Sequence, residues 1–476
     1  MDRTQVVQVR QMTWLVASVL AGGGLLSIQH VLIRFARIDA WTSYLLPIFY
    51  VFGIAYVFYK LSQRFKDKNL FEINKLMFGK IAGTTINALL VGHMWLMLVR
   101  DIRLFSRFVG TVLLPNTPEE VLVLLFMLLL LFYGRTSLEV AARVNDIFFP
   151  VFMLLVVSLP LLLSNELDKH FIQPVLTVTA ANFIKTNLLS IGWFGDAIVI
   201  GAFLHLLWSP RQLRSALRHG GILAGAILTT FVFMEVIVLG PKIPGNFIFP
   251  SYSLVQLIHI TDFLDRIDLT MLSIWYPITL CKVIVIYLGF LTGITSLFGR
   301  RDYSLISSPV GLLLTLTAIA SFRNAADTFS FGNFSSLVIT LAYQPLYFVV
   351  LLLLVRKRPI VKNEAAGRAK DASAAGNQGN DSDGQDGGKR NGSRRKRVRY
   401  ETWSLASSLL MAACLVLIII GIAWSRYYSL IGIVCGIGYA VLLLLALITS
   451  RMEISSVRKQ AESPENASAA AKLAPG

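Results

Sequence analysis

Long apolar runs constrain this chain more than any other feature. The stretch 119–133 reads EEVLVLLFMLLLLFY, and 222–240 and 409–424 are of the same kind. About 20 apolar helical residues cross a bilayer core, whereas a helix in a soluble core shows polar residues every few positions. Here 55% of residues are hydrophobic and 15% charged, against about 25% charged in an ordinary soluble protein. The pattern predicts an all-α polytopic membrane protein and argues against a soluble helical domain.

Twelve spans are predicted, near 11–31, 40–60, 81–105, 118–134, 138–163, 187–208, 217–240, 267–298, 304–323, 334–355, 403–424 and 428–450. The formal net charge is +17. A basic excess can serve nucleic acid, but these charges sit in short loops between apolar runs, so no nucleic-acid partner is expected. Lys60, Arg64, Lys66, Lys68, Lys75 and Lys80 follow the second span; Arg211, Arg214 and Arg218 precede the seventh; Arg300 and Arg301 follow the eighth. Basic loops face the cytoplasm, which predicts both termini on that side. Cys281, Cys414 and Cys435 lie within apolar segments without paired spacing, so neither a disulfide framework nor a metal site is suggested. The polar start MDRTQVVQVRQ lacks a small-residue cleavage site, which argues against a removed signal peptide.

The chain divides into a ten-span core (1–355), a linker (356–402), two further spans (403–450) and a tail (451–476). The linker is small, polar and Gly-rich, unable to bury enough apolar surface to order itself. It ends in Arg394-Arg395-Lys396-Arg397-Val398-Arg399, an anchor on the cytoplasmic side or a binder of anionic lipid headgroups.

Two spans carry helix-weakening glycines at matching places. The first contains Ala21-Gly22-Gly23-Gly24-Leu25, the sixth Gly192-Trp193-Phe194-Gly195-Asp196. Counted in fives, they occupy equivalent positions in two halves, the pattern of an inverted-repeat transporter whose broken helices expose backbone groups at the bilayer midplane. The alternative is that glycine serves close helix packing. Intramembrane charges are functional candidates by default. Lys282 lies mid-span, where a fixed ammonium can replace a bound cation or pair structurally with a carboxylate. Asp196 can bind an amine or a proton, or cap a restarted helix. Glu139 and Arg143, four apart, suit a local structural ion pair. Glu235 has no obvious partner, and His93 and His205 suit packed, hydrogen-bonded roles. The candidate ligand site is Ala21, Gly22, Gly23, Gly24, Leu25, His93, Met97, Gly192, Trp193, Phe194, Gly195 and Asp196, with Lys282 beside it.

Several stretches resemble the spore germination permease family, within the amino acid–polyamine–organocation superfamily. They are Glu139…Ala142-Arg143…Asn145-Asp146…Pro150, Leu114-Pro115-Asn116-Thr117-Pro118, Leu239-Gly240-Pro241, Phe249-Pro250-Ser251-Tyr252, 262–268 (DFLDRID), 298–303 (FGRRDY), and the Trp275–Lys282 spacing. The match covers roughly residues 5–355. It implies a LeuT-like 5+5 inverted-repeat core of ten helices, with the last two spans additional. It also implies the inner membrane of a dormant spore, and two partners: a larger membrane subunit and a lipoprotein subunit. The implied role is a permease-like germinant-receptor subunit that senses a small nutrient, often an amino acid, without a cofactor. Three departures stand out: Asp196 where the family usually has Glu, Ser27-Ile28-Gln29-His30 where relatives often carry Leu-Pro, and the C-terminal extension.

A secondary amino-acid transporter, proton-coupled or uncoupled, is the competing function, and an ion- or water-conducting subunit is a third. No nucleophile elbow, P-loop or metal-ligand spacing speaks for an enzyme.

Overall fold

In the computed structural model, residues 7–206, 209–258, 267–299, 302–356 and 389–461 are described. Residues 262–266 and 300–301 of the family motifs, 357–388 of the linker and 462–476 of the tail lie outside them. Ten helices among the described residues are long and apolar enough to cross a membrane. Two shorter ones, Glu119–Tyr133 and Ser304–Ser321, take the fourth and ninth places. Each expected span therefore has its helix, and the chain is an integral membrane protein.

Burial sorts the spans. In the most apolar windows of spans one, six and eight, 83%, 89% and 83% of residues are buried within the protein, against 28% in span five. The three strongly buried helices form the centre, and span five faces outward. The family motif on span five works as a seam to span one. Ser18 Oγ donates to Asn145 Oδ1 at 2.8 Å, and Arg10 pairs with Asp146 at 2.7 Å. Arg10 also lies over the Trp14 ring, which stacks on Phe149. Glu139 and Arg143 meet at 2.5 Å, but the arginine side chain is 71% exposed, so the pair adds little stability. Pro118 opens span four, and Glu119 after it holds Arg107 at 2.7 Å and Arg103 at 3.2 Å.

The predicted break in span one is not at its glycines. The helix Val9–Ser27 runs through Gly22, Gly23 and Gly24 and turns only at Ile28, ahead of the helix Gln29–Ala36. Each glycine costs about 1 kcal/mol of helix propensity, but a backbone group freed in the bilayer finds no water, so the hydrogen-bond ladder persists. Span six does change character where expected. Its α-helix Ala180–Phe194 gives way to a 3-10 helix over Gly195–Leu206. Span ten contains a third irregularity, a π-helical segment Phe331–Ser335 between Ala325–Ser330 and Ser336–Arg356. Ser27 Oγ donates to Asn333 Oδ1 at 3.0 Å, joining the end of span one to that segment.

The last two spans, Lys389–Trp424 and Ser429–Ala461, form an antiparallel hairpin against span seven, Pro210–Leu239. The eleventh helix begins at Lys389, inside the stretch assigned to the linker. Arg218, 2% exposed, donates to Ser404 O (2.9 Å), Ser407 Oγ (2.6 Å) and Ser408 Oγ (2.8 Å) and faces Glu453 at 3.6 Å. Ser215 donates to Glu453 at 3.0 Å, and His219 meets Ser450 at 2.5 Å. Ser425 closes the opposite end on the carbonyl of Leu176. Removing one partner of a buried ion pair costs about 3–5 kcal/mol. Arg218→Ala is therefore expected to loosen the hairpin. A protease site placed within 370–380 of the full chain provides the readout: after cleavage the wild-type hairpin co-purifies with the core, and the variant releases it. Retention by both would show the buried network to be dispensable.

Candidate ligand site

Four charged side chains meet where spans one, three, six and eight cross. Arg100 and Asp101 come from span three, Lys80–Val112; Asp196 from the start of the 3-10 helix; Lys282 from span eight, Ile267–Leu297. Arg100 Nε donates to Asp101 Oδ1 at 2.8 Å, and Arg100 Nη2 to Asp196 Oδ2 at 2.8 Å. Lys282 Nζ lies 2.8 Å from Asp196 Oδ2 and 3.2 Å from Asp101 Oδ2. The pairs close a ring in which positive and negative groups alternate and the formal charge sums to zero. None of the four is more than 1% exposed. An isolated ion at that depth would cost several kcal/mol to bury; a neutral ring offsets much of this.

Trp193 serves both cations, with Arg100 Cζ 4.1 Å and Lys282 Nζ 4.7 Å from its ring centroid. Desolvated cation–π contacts of this kind contribute about 2 kcal/mol. The glycines of span one explain how the ring fits. A Cβ on Gly23 would overlap the Trp193 ring and the Lys282 ammonium, and one on Gly22 would press on Thr279 at 3.2 Å. Close approach, rather than unwinding, is what these glycines supply. The π segment of span ten completes the wall: Gly332 faces Trp193 and Arg100, and Arg100 Nη1 donates to Ser336 Oγ at 3.3 Å.

Hydrogen-bonding capacity is left over. Lys282 is within ion-pair distance of both carboxylates. Asp196 Oδ1 and Trp193 Nε1 have no hydrogen-bond partner. One acceptor and one donor of the ring's surroundings are thus left without partners.

The structure gathers Gly22, Gly23, Trp193, Asp196 and Lys282 from the expected set and sends others elsewhere. Gly24 faces Leu228 of span seven. Gly192 and Gly195 admit Leu337, Thr340 and Gln344 of span ten. His93 Nδ1 meets the Tyr343 hydroxyl, also on span ten, at 2.5 Å. Leu25 lines a neighbouring cavity, Phe194 packs on Tyr44, and Ala21 and Met97 are buried. Arg100 and Asp101 were not among the expected residues. Span three was predicted to end near 105, which put them close to the membrane surface. The helix instead runs to Val112, and the extra two turns set them deep. Among the described residues, no group of three or more His, Cys, Asp and Glu side chains is placed to hold a metal ion.

An aromatic layer and a polar layer pack among the same core helices. Toward the short helix Pro250–Gln256, Phe108 meets Phe249, Tyr252 and Trp275 edge-on at 4.9, 5.9 and 5.2 Å. On the side of the N-terminus, the short helix Leu70–Phe78 is pinned by Asn74 to Asn87 and by the Tyr347 hydroxyl to Asn74, both at 2.8 Å.

Ten core helices with irregular segments in spans six and ten around a buried charged centre define a transporter-fold membrane protein of the LeuT-like class. A solved manganese transporter of Eremococcus coleocola shares the fold at a TM-score of 0.50 and 12% identity, covering 94% of this chain and 95% of that one. The family model described as spore germination protein matches residues 6–326, and the chain belongs to that family. Among Bacillus subtilis relatives, the putative spore germination protein YfkT is 27% identical over 321 residues, 66% of this chain and 87% of that protein. Spore germination protein B2 is 22% identical over 356 residues, covering 72% and 94%, and spore germination protein KB 24% over 340, covering 69% and 90%.

Proposed function

We propose that this chain is the permease-like subunit of a spore nutrient germinant receptor. It binds a small nutrient, an amino acid by its chemistry, at the charged ring and signals germination. The observation that carries this reading is the neutrality of Arg100, Asp101, Asp196 and Lys282 in a fully buried site. A zwitterion brings one positive and one negative group, so it exchanges into the ring without changing the buried charge. Its carboxylate replaces Asp196 on Lys282, and its ammonium takes the open Oδ1 of Asp196. A ligand shifts a two-state protein only by its differential affinity for the two states. Separating Lys282 from Asp196 would pull span eight relative to span six, and such a displacement is what partner subunits can read. The larger membrane subunit and the lipoprotein subunit belong to this proposal, as do the spore inner membrane and cytoplasmic termini, the last supported by the basic loops.

Asp196→Asn tests the assignment. It removes the charge-assisted contact to the ligand ammonium, worth about 1.5–3 kcal/mol, and leaves Arg100 and Lys282 with one carboxylate between them, so the nutrient dose–response should move at least about 10-fold upward. Asp196→Glu, one methylene longer, should change nutrient preference instead. Superimposable germination curves for the two variants and wild type would remove Asp196 from the site.

A further inference from the structure

A second polar cluster lies apart from the ring, between span one, span seven and the short helix Pro250–Gln256. Glu235 is 0% exposed, and among the described residues no basic side chain lies within 4.0 Å of it. Its Oε1 accepts from Ser251 Oγ at 2.8 Å, and its Oε2 has no hydrogen-bond partner. The Ser251 hydroxyl also faces the carbonyl of Leu25 at 3.0 Å and Oε1 of Gln29. A hydroxyl has one hydrogen to donate, and three acceptors compete for it. Turning the Gln29 amide over lets Nε2 donate to Ser251, but Glu235 Oε2 still receives nothing. The Tyr44 hydroxyl, fully buried, is likewise without a partner. The Gln29 side-chain nitrogen is also buried without a partner, but it and the Tyr44 hydroxyl are neutral donors, and neither balances the charge of the Glu235 carboxylate.

We propose that Leu25 O, Gln29 Oε1, Ser251 Oγ and the Glu235 carboxylate form a binding site for a monovalent alkali cation. Oxygen-only ligands suit a hard cation, and a single carboxylate balances a single positive charge. Asp101 and Asp196 cannot take that role, because Arg100 and Lys282 already neutralise them. Ser251 also lines an adjoining cavity of about 40 Å³, together with Leu25, Phe231, Val255 and Trp275. The ligands come from span one, the helix after it, span seven and the short helix over the site. An ion bound among them ties that helix down and favours the state closed on its side.

Thermal unfolding of the purified full-length chain in sodium, potassium or choline chloride, at one ionic strength and one pH, provides the test. A ligand that binds only the folded state raises stability with its concentration. The expected result is a saturable rise in Tm with sodium or potassium, absent with choline and abolished in Glu235→Gln. Ser251→Ala keeps the carboxylate and should require about tenfold more salt for the same rise. It also serves as the readout if Glu235→Gln does not fold. Equal shifts in choline would reduce the effect to screening and overturn the proposal. So would a shift that survives Glu235→Gln, or, if that variant does not fold, one unchanged in Ser251→Ala. A Tm that follows pH but ignores all three salts would mean that the carboxyl takes a proton, and the alkali site would be wrong.

Discussion

Lys282→Met is expected to destabilise the protein by about 3–5 kcal/mol, the cost of breaking a buried ion pair from one side. Without the ammonium, Asp101 and Asp196 share one guanidinium and the buried ring carries a net negative charge. The remedy predicted by the ring geometry is a second substitution. Lys282→Met with Asp101→Asn restores neutrality while Arg100 keeps its 2.8 Å contact with Asp196, and should recover most of the lost stability. Contacting residues are where such non-additivity appears. Ligand binding should separate from stability: the double variant regains Tm but not nutrient binding, because the ligand carboxylate has lost its ammonium. A single variant that melts like wild type would show that the ring does not hold the core together.

Gly23→Ala is the second large effect. In an isolated helix the change is worth about 1 kcal/mol of stabilisation. Here the new methyl group would overlap Trp193 and Lys282, both essentially unexposed. Overpacking of a tight core costs about 1–3 kcal/mol, and displacing Trp193 also weakens its contacts to Arg100 and Lys282. The net expectation is a lower Tm and loss of ligand response. Gly92→Ala, on an open face of span three with nothing within 4 Å of the added carbon, should be neutral or gain up to about 1 kcal/mol. If both alanine variants behave alike, close approach at Gly23 is not the reason for glycine there.

These residues also show where the sequence was readable. Lys282 and Asp196 stood out because a charge within an apolar run is rare, and the two meet at 2.8 Å. The glycines of span six marked the change of helix type at Gly195, whereas in span one the irregularity falls at Ile28, past Gly22, Gly23 and Gly24. Arg100 and Asp101 escaped notice because helix length in the membrane depends on tertiary packing, which hydropathy does not contain. The docking of the C-terminal hairpin was equally hidden: its Ser404, Ser407, Ser408 and Glu453 look like ordinary span-end polar residues. Their role depends on Arg218, distant in sequence and buried beside them. Glu235 was visible as a lone carboxyl, but its oxygen neighbours come from segments whose pairing only the fold reveals.

The account's central claim is that the charged ring binds a nutrient in order to signal. Equilibrium binding and vesicle uptake of a panel of labelled amino acids, measured on the same reconstituted full-length chain, test it most directly. The prediction is saturable binding of at least one amino acid, strongly weakened in Asp196→Asn, with no concentrative uptake across the vesicle membrane. Robust uptake by the chain alone would make it a transporter, and absence of amino-acid binding would contradict the assigned site.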